Sequence, residues 1–385
     1  MTVSLSCFGD RNPRFHFPFV ALTDHSNTEF QDHRPDMRID VGNDPLARLT
    51  GAANWPQTDS HVGHHPGRVS QTMADRNSEA NSGTVAILLC TMNGERYLAQ
   101  QLQSIAAQTY SNWRLWISDD GSSDRTVEIA ETYRREWGEA RIAIRSGPKR
   151  GFVENFLSLT REAGNDADYF AYADQDDVWE PDKLARAVSW LRQQSLDVAV
   201  LYTARTRLVD EAGRNIGMSS LMDKPPSFAN ALVQNICGGN TSVFNQAARK
   251  LLCAGRRNVV AHDWWLYQVV TGCGGQVFYD PVPNVRYRQH GGNLVGSEGN
   301  WLDKLKRVHH MLQGRYRHWN DMNIGALEEM LPNLTPENRL VLKRFSEARR
   351  RWLIPRLFGI WASGVHKQTL PGNLGMAMAA MLNKI

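Results

Sequence analysis

Two apolar runs in this chain end in clustered acids. Asp119 and Asp120 follow WRLWIS, while Asp174, Asp176 and Asp177 follow YFAYA in the run Asp-Gln-Asp-Asp. Carboxylates gathered at one edge repel each other, so such clusters become favourable when a divalent cation or a donor-rich ligand sits among them. Oxygen-only ligands indicate a hard ion, magnesium or manganese, rather than zinc. Each cluster also has a plainer reading: Asp-Gly-Ser-Ser-Asp is good turn chemistry, and one of the later acids would cap the helix DKLARAV. Two clusters at successive strand ends say more than either alone.

Acids can converge only if the elements bring their strand ends to one edge. From residue 84 short apolar runs alternate with amphipathic patterns, which predicts βαβ units around a doubly wound, mostly parallel sheet. TVAILLC, WRLWISDD, RIAIRS and DYFAYADQDD read as strands, with helices between them; Leu98, Leu102, Ile105 and Ala106 share one helix face, and Ser122 or Ser123 would cap the next helix. Further on come the strand VAVLYTA with a turn at DEAGR, a helix around AARKLLCAG, another from HDWWLYQVV, and a last strand pair, QVFYD and VRYRQH. Ligands bind at the carboxyl ends of parallel strands, where these acids fall.

The expected domains are a disordered segment 1–82, a catalytic domain 83–297 and a basic helical region 298–385. The first segment is rich in proline and histidine and lacks apolar periodicity, so it cannot offset its ordering entropy. Its histidines His61, His64 and His65 have no Cys or Asp spacing to make a metal site, and Met73 is a candidate true start. The stretch 301–385 holds 14 Lys or Arg against 6 Asp or Glu. Leu302, Leu305, Val308 and Leu312 at helical spacing, RRRWLIPRLFGIW and LGMAMAAML suggest peripheral membrane contact, or a helical hairpin with a solvated basic face. Five scattered cysteines, no run of about 18 apolar residues and no leader pattern predict a cytoplasmic protein. A net charge of +4 gives no reason to expect nucleic-acid binding.

From Thr84 to Gly296 the motifs together resemble the family 2 glycosyltransferases of the GT-A fold, in particular rhamnosyltransferase-like members. TVAILLCTMNGERYL resembles the opening strand and loop, and ISDDGSSDRT the second, so the resemblance implies that Thr91, Asn93, Asp119, Asp120 and Asp174 bind the donor nucleotide. ADQDDVWEPDKL resembles the Asp-x-Asp metal motif, which implies Asp174 and Asp176 as metal ligands, with Asp177 nearby. His290 in VRYRQHGGNLVG resembles a late element where a histidine completes the metal shell; an ordinary hydrogen-bonded histidine is the alternative. Asp263, in His-Asp-Trp-Trp, takes the place of the base that deprotonates the acceptor, or else caps its helix. Gly238 and Gly239 resemble the acceptor-side loop, with Trp264 beside it for sugar stacking. Arg286 and Arg288, two apart on one strand, would meet phosphate or solvent.

The expected activity is thus metal-dependent, inverting transfer of one sugar from a nucleotide diphosphate donor, dTDP-rhamnose by resemblance, to a saccharide or lipid-linked saccharide in cell-surface polysaccharide synthesis. The absence of a Gln-x-x-Arg-Trp motif favours single transfers over continuous polymerisation. A nucleotidyltransferase is a rival, although Thr91-Met92-Asn93-Gly94-Glu95 stands where its Gly-rich basic loop would be. A non-catalytic saccharide-binding protein is another.

Overall fold

The computed structural model describes residues 83–163, 166–254, 258–290 and 314–385, all within the unit His65–Ile385. The expectations for residues 1–82 and for the Leu302 to Leu312 helix lie outside them.

β1 (Val85–Thr91), β2 (Trp113–Asp119), β3 (Ile142–Ser146) and β4 (Tyr169–Asp174) form a parallel block in the order β3-β2-β1-β4. Helices α1 (Leu98–Ala106), α2 (Thr126–Trp137) and α3 (Phe152–Glu162) connect them. The chain runs from β1 out to β2 and β3, then crosses back to β4, so strand order reverses between β1 and β4. A ligand crevice opens at such a reversal. Both faces of β1 are covered, as a central parallel strand requires: Ala86, Leu88 and Cys90 join one core and Val85, Ile87 and Leu89 the other.

The remaining strands are β5 (Val178–Trp179), β6 (Val200–Val209), β7 (Asn215–Met218), β8 (Val243–Asn245) and β9 (Gln276–Arg288), with helices α4 (Lys183–Leu191), α5 (Phe228–Ala231), α6 (Gln246–Cys253) and α7 (His262–Gly272). They extend the sheet as β4-β8-β6-β9-β5, with β7 on β6. β8 is antiparallel to β4 and β6, and β9 is parallel to β6. β1, β2, β3, β4, β6 and β9 therefore run one way, and the fold is the expected α/β, mostly parallel sheet. β9 is a single strand where a pair was expected, with its register against β6 shifted between Ala204 and Thr206. α2 is not capped by Ser122 or Ser123; the Thr126 N–H donates to Asp124 instead.

The C-terminal helices are α8 (Arg315–Glu328), α9 (Pro336–Arg349), α10 (Leu353–Ala362) and α11 (Leu370–Met381). Leu327, Phe345, Ala348, Ile360 and Ala380 belong to the same apolar cluster as Trp265 and Leu266 of α7 and Phe170 of β4. This region thus completes the core on one face of the sheet. α1 and α4 cover the other face through Leu98, Leu102, Leu184 and Val188.

Candidate active site

The loops after β1 and β2 are knitted together by side chains. The Thr91 hydroxyl donates to Asp119 at 2.8 Å, and the Gly121 and Ser122 N–H groups donate to the other Asp119 oxygen at 3.1 and 2.8 Å. Asp120 accepts from the Lys149 and Gly151 N–H groups at 2.6 and 2.8 Å. Asn93 has a left-handed φ of 50°, and its side-chain oxygen accepts from the Ser123 N–H at 2.9 Å. Both acids are buried, and every one of their carboxylate oxygens already serves the loop. The sequence-expected nucleotide residues Thr91, Asn93, Asp119 and Asp120 are therefore brought together, but by one another and by backbone.

The acids after β4 divide in the same way. Asp177 is fully buried: its oxygens accept from Asn240 at 2.6 Å and from the Arg288 N–H at 3.1 Å. Burial and the neighbouring Asp176 and Asp174 charges push it well above the usual carboxylate range. Asp174 and Asp176 are instead partly exposed. Burial, then the charges of Asp176 and Asp263, raise Asp174 to about 7, against the pull of Lys183. His290 Nε2 lies 2.7 Å from Asp176 Oδ2, and the ring stands beside Tyr97 at 5.4 Å. His290 thus pairs with Asp176, and Asp176 in turn lies within electrostatic reach of Asp174.

Residues that sequence reasoning missed hold this loop in place. The Gln175 amide accepts from the Met92 N–H at 2.9 Å and donates to the Met92 carbonyl at 3.0 Å, pairing with backbone as a strand would. A Cβ at Gly94 would come within 2.2 Å of Gln175 Oε1, so that glycine is required. Lys183 is buried under the acids, its ammonium 4.0 Å from the Trp179 ring centroid; burial lowers its pKa to about 7, with Asp177 and Asp174 opposing. Tyr287 of β9 is within electrostatic reach of all four acids, Asp177, Asp174, Asp176 and Asp263, and burial and those charges push its phenol up. Only the alternation along VRYRQH hinted at it: Tyr287 points away from the face shared by its arginine neighbours.

Those arginines correct the phosphate expectation. Arg286 makes a two-pronged pair with Glu180 at 3.0 and 3.1 Å. Arg288 is buried and donates to the Asp176 and Glu211 carbonyls at 3.0 and 2.8 Å and to Gln100 at 2.7 Å. Its charge is spent on fixing the acid loop.

Asp263 stands in the first turn of α7, within electrostatic reach of Asp174. One oxygen accepts from the Gly239 N–H at 3.0 Å and the other from the Trp264 N–H at 2.7 Å. A carboxylate has about four lone-pair sites, so both oxygens keep capacity for an acceptor hydroxyl. Gly239 is buried, and a Cβ there would meet His262 Nε2 at 2.9 Å. The expectation that it touches the acceptor is corrected: it is a glycine so that the loop can seat against α7 and donate to Asp263. Gly238 beside it is exposed. Trp264 is also corrected, because its indole is buried and donates to the Ala231 carbonyl at 2.6 Å. Trp179 and Trp265 are core as well. His262 stacks on Phe156 at 3.9 Å and meets Tyr172 edge-on at 4.8 Å; burial lowers its pKa to about 4, partly offset by Asp263. It is a neutral ring in an aromatic box.

Among the described residues no three His, Cys, Asp or Glu side chains close around an ion. A divalent cation that takes one or two carboxylates and completes its shell with water and substrate phosphate needs fewer protein ligands than that, and it would hold Asp174 ionised against the burial and the Asp176 and Asp263 charges that raise it.

Residues 86–250 match the family model described as glycosyl transferase family 2. A dTDP-rhamnosyl transferase, RfbG of Shigella flexneri, is 28% identical over 231 residues, 57% of this chain and 78% of that protein. A UDP-Glc:alpha-D-GlcNAc-diphosphoundecaprenol beta-1,3-glucosyltransferase, WfgD of Escherichia coli, is 27% identical over 115 residues, 29% of this chain and 42% of that one. Among solved structures, S. aureus TarS 1-349 in complex with UDP-GlcNAc superposes with a TM-score of 0.46 at 14% identity, over 78% of this chain and 89% of that chain. With its parallel block, its strand-order reversal and its acids at that edge, the stretch 86–250 is a glycosyl transferase family 2 domain.

Proposed function

We propose that the chain is an inverting glycosyltransferase that moves a single sugar from a nucleotide diphosphate donor to a hydroxyl of a saccharide or lipid-linked saccharide in cell-surface polysaccharide synthesis. The observation that carries this reading is that Asp263, in the first turn of α7, lies within electrostatic reach of Asp174, whose neighbour Asp176 pairs with His290.

In this reading Asp263 takes the proton from the acceptor hydroxyl while that oxygen attacks the anomeric carbon from the side opposite the diphosphate. The N–H groups of Gly239 and Trp264 hold the carboxylate in one orientation through the step. A magnesium or manganese ion held by Asp174, Asp176 and His290 would supply neutralising charge for the leaving diphosphate. The nucleoside is assigned to the loops after β1 and β2. Thr91, Asn93 and Asp120 border it; Asp119 accepts four hydrogen bonds within the loop and acts by fixing it, whereas Asp120 accepts one on each oxygen and keeps capacity for the nucleoside. The similarity to the Shigella flexneri dTDP-rhamnosyl transferase favours dTDP-rhamnose as donor.

Calorimetry with dTDP, UDP and GDP and their sugars, with manganese and then with chelator, tests the donor side. We expect metal-dependent binding of the thymidine series, and Asp176→Ala is expected to lose the metal-dependent part. Equal affinity of wild type and variant contradicts the metal assignment; binding without turnover on any saccharide acceptor would leave a binding protein.

A further inference from the structure

α10 and α11 reverse the polarity of an ordinary surface helix. α10 has one charged side chain, Arg356, and it points inward: its guanidinium donates to the Arg351 and Ala380 carbonyls at 3.0 and 2.9 Å. The outward positions are Ile354, Phe358 and Trp361, spaced i, i+4, i+7, with relative exposures of 65%, 66% and 75%, and Trp352 stands exposed just before them. α11 has no charged side chain, and Leu370, Leu374, Met378 and Met381 form a second exposed apolar row. A monomeric protein in water seldom presents contiguous rows of this kind.

The charges that follow Glu347 in the chain are of one sign, although Arg351 reaches back to Glu347 at 3.8 Å and the buried Arg349 pairs with Asp321. From Ala348 to Ile385 the chain has no Asp or Glu, and it has Arg349, Arg350, Arg351, Arg356, Lys367 and Lys384. Arg350 and Arg351 are exposed at the start of α10, and Lys367 lies between the two helices. With 10 and 12 residues, the helices are roughly 15 and 18 Å long, well short of the ~30 Å of a hydrocarbon core. No helix among the described residues is long and apolar enough to cross a membrane. Short apolar rows with tryptophan at the edge and a basic collar match the boundary between acyl chains and anionic headgroups. A second copy of the chain fits less well, because a two-fold contact would bring the two basic collars together.

We propose that α10 and α11 lie flat in the surface of an anionic lipid leaflet, with Ile354, Phe358, Trp361, Leu370, Leu374 and Met378 turned into it. This docking is independent of the sugar-transfer reading, and lipid binding tests it without any donor or acceptor. Full-length protein is floated with vesicles of phosphatidylcholine alone and of equal phosphatidylcholine and phosphatidylglycerol, and tryptophan quenching by brominated acyl chains is recorded. The wild type floats with the anionic vesicles and is quenched. Phe358→Glu with Trp361→Glu lowers partition by at least about tenfold while leaving the thermal midpoint in place, since both side chains are exposed. Arg350→Gln with Arg351→Gln weakens binding to anionic vesicles only. The proposal is overturned if the wild type stays in the soluble fraction, or if either pair of substitutions leaves binding to anionic vesicles unchanged. It is equally overturned if the wild type is a dimer in solution that the Phe358, Trp361 pair dissolves and vesicles do not bind it.

Discussion

Asp263 accepts two backbone hydrogen bonds and each of its oxygens keeps a lone pair, a combination that separates positioning from basicity. Asp263→Asn keeps an oxygen for one of those N–H donors and removes the base, so turnover should fall by about 10² to 10⁴ while donor affinity stays within about twofold. A matching loss of donor binding in calorimetry would point to a structural role. His262 gives a second test, through stability. The folded ring titrates near 4 and an unfolded histidine near 6.5, so the unfolded chain binds the extra proton between those values. Stability is full above about pH 6.5 and falls as pH drops toward 4, by about 3 kcal/mol in all. His262→Leu should flatten that part of the melting-temperature profile, and an unchanged acid slope would refute the assignment. At this scale Asp174 and Asp176 were legible as candidates because they follow a strand, and His290 and Asp263 through the family resemblance of the segments that carry them. Asp119, Arg288 and Trp264 were misread for a common reason. A polar atom that serves a neighbouring backbone group has the same sequence signature as one that serves a ligand, and only the distances tell them apart.

Among the elements, the loop joining β4 to β5 depends on Gln175, which ties it to the loop after β1 through both atoms of its amide. Gln175→Ala frees the Met92 N–H and carbonyl and lets Asp174 and Asp176 drift relative to the nucleoside loops. A fall in turnover of about tenfold or more is expected, with a thermal midpoint lowered by only a few degrees, since the loop lies at the surface. An activity equal to wild type would show that the tether is dispensable. The alternating helices and strands were readable from periodicity, since the buried parallel strands are near-continuous apolar runs. β9 was read as two strands because Pro281 and Pro283 interrupt it. Proline in a strand is tolerated where its missing N–H is not needed. The β6 pairing skips from Asp280 to Val285 at that place, so the prolines sit in the irregularity and the strand continues.

Over the whole molecule, one apolar cluster runs from β1 and β4 through α7 to Phe345 of α9 and Ala380 of α11. Phe345 is fully buried in it, so Phe345→Ala should cost about 3 to 5 kcal/mol. The loss should appear in a single cooperative transition that the Trp264 and Trp319 fluorescence reports together, those rings being 6.2 Å apart. Two separated transitions would mean that the C-terminal helices fold on their own. The sequence marked this region off by its charge, but charge describes an outer surface and carries no information on which inner face closes which core. The shared cluster bears on recombination between related chains. A chimaera joined near residue 298 would graft foreign helices onto faces of α5 and α7 that were never fitted to them. A serviceable crossover lies upstream of α5, so that α5, α7 and the helices that seal them travel as one block.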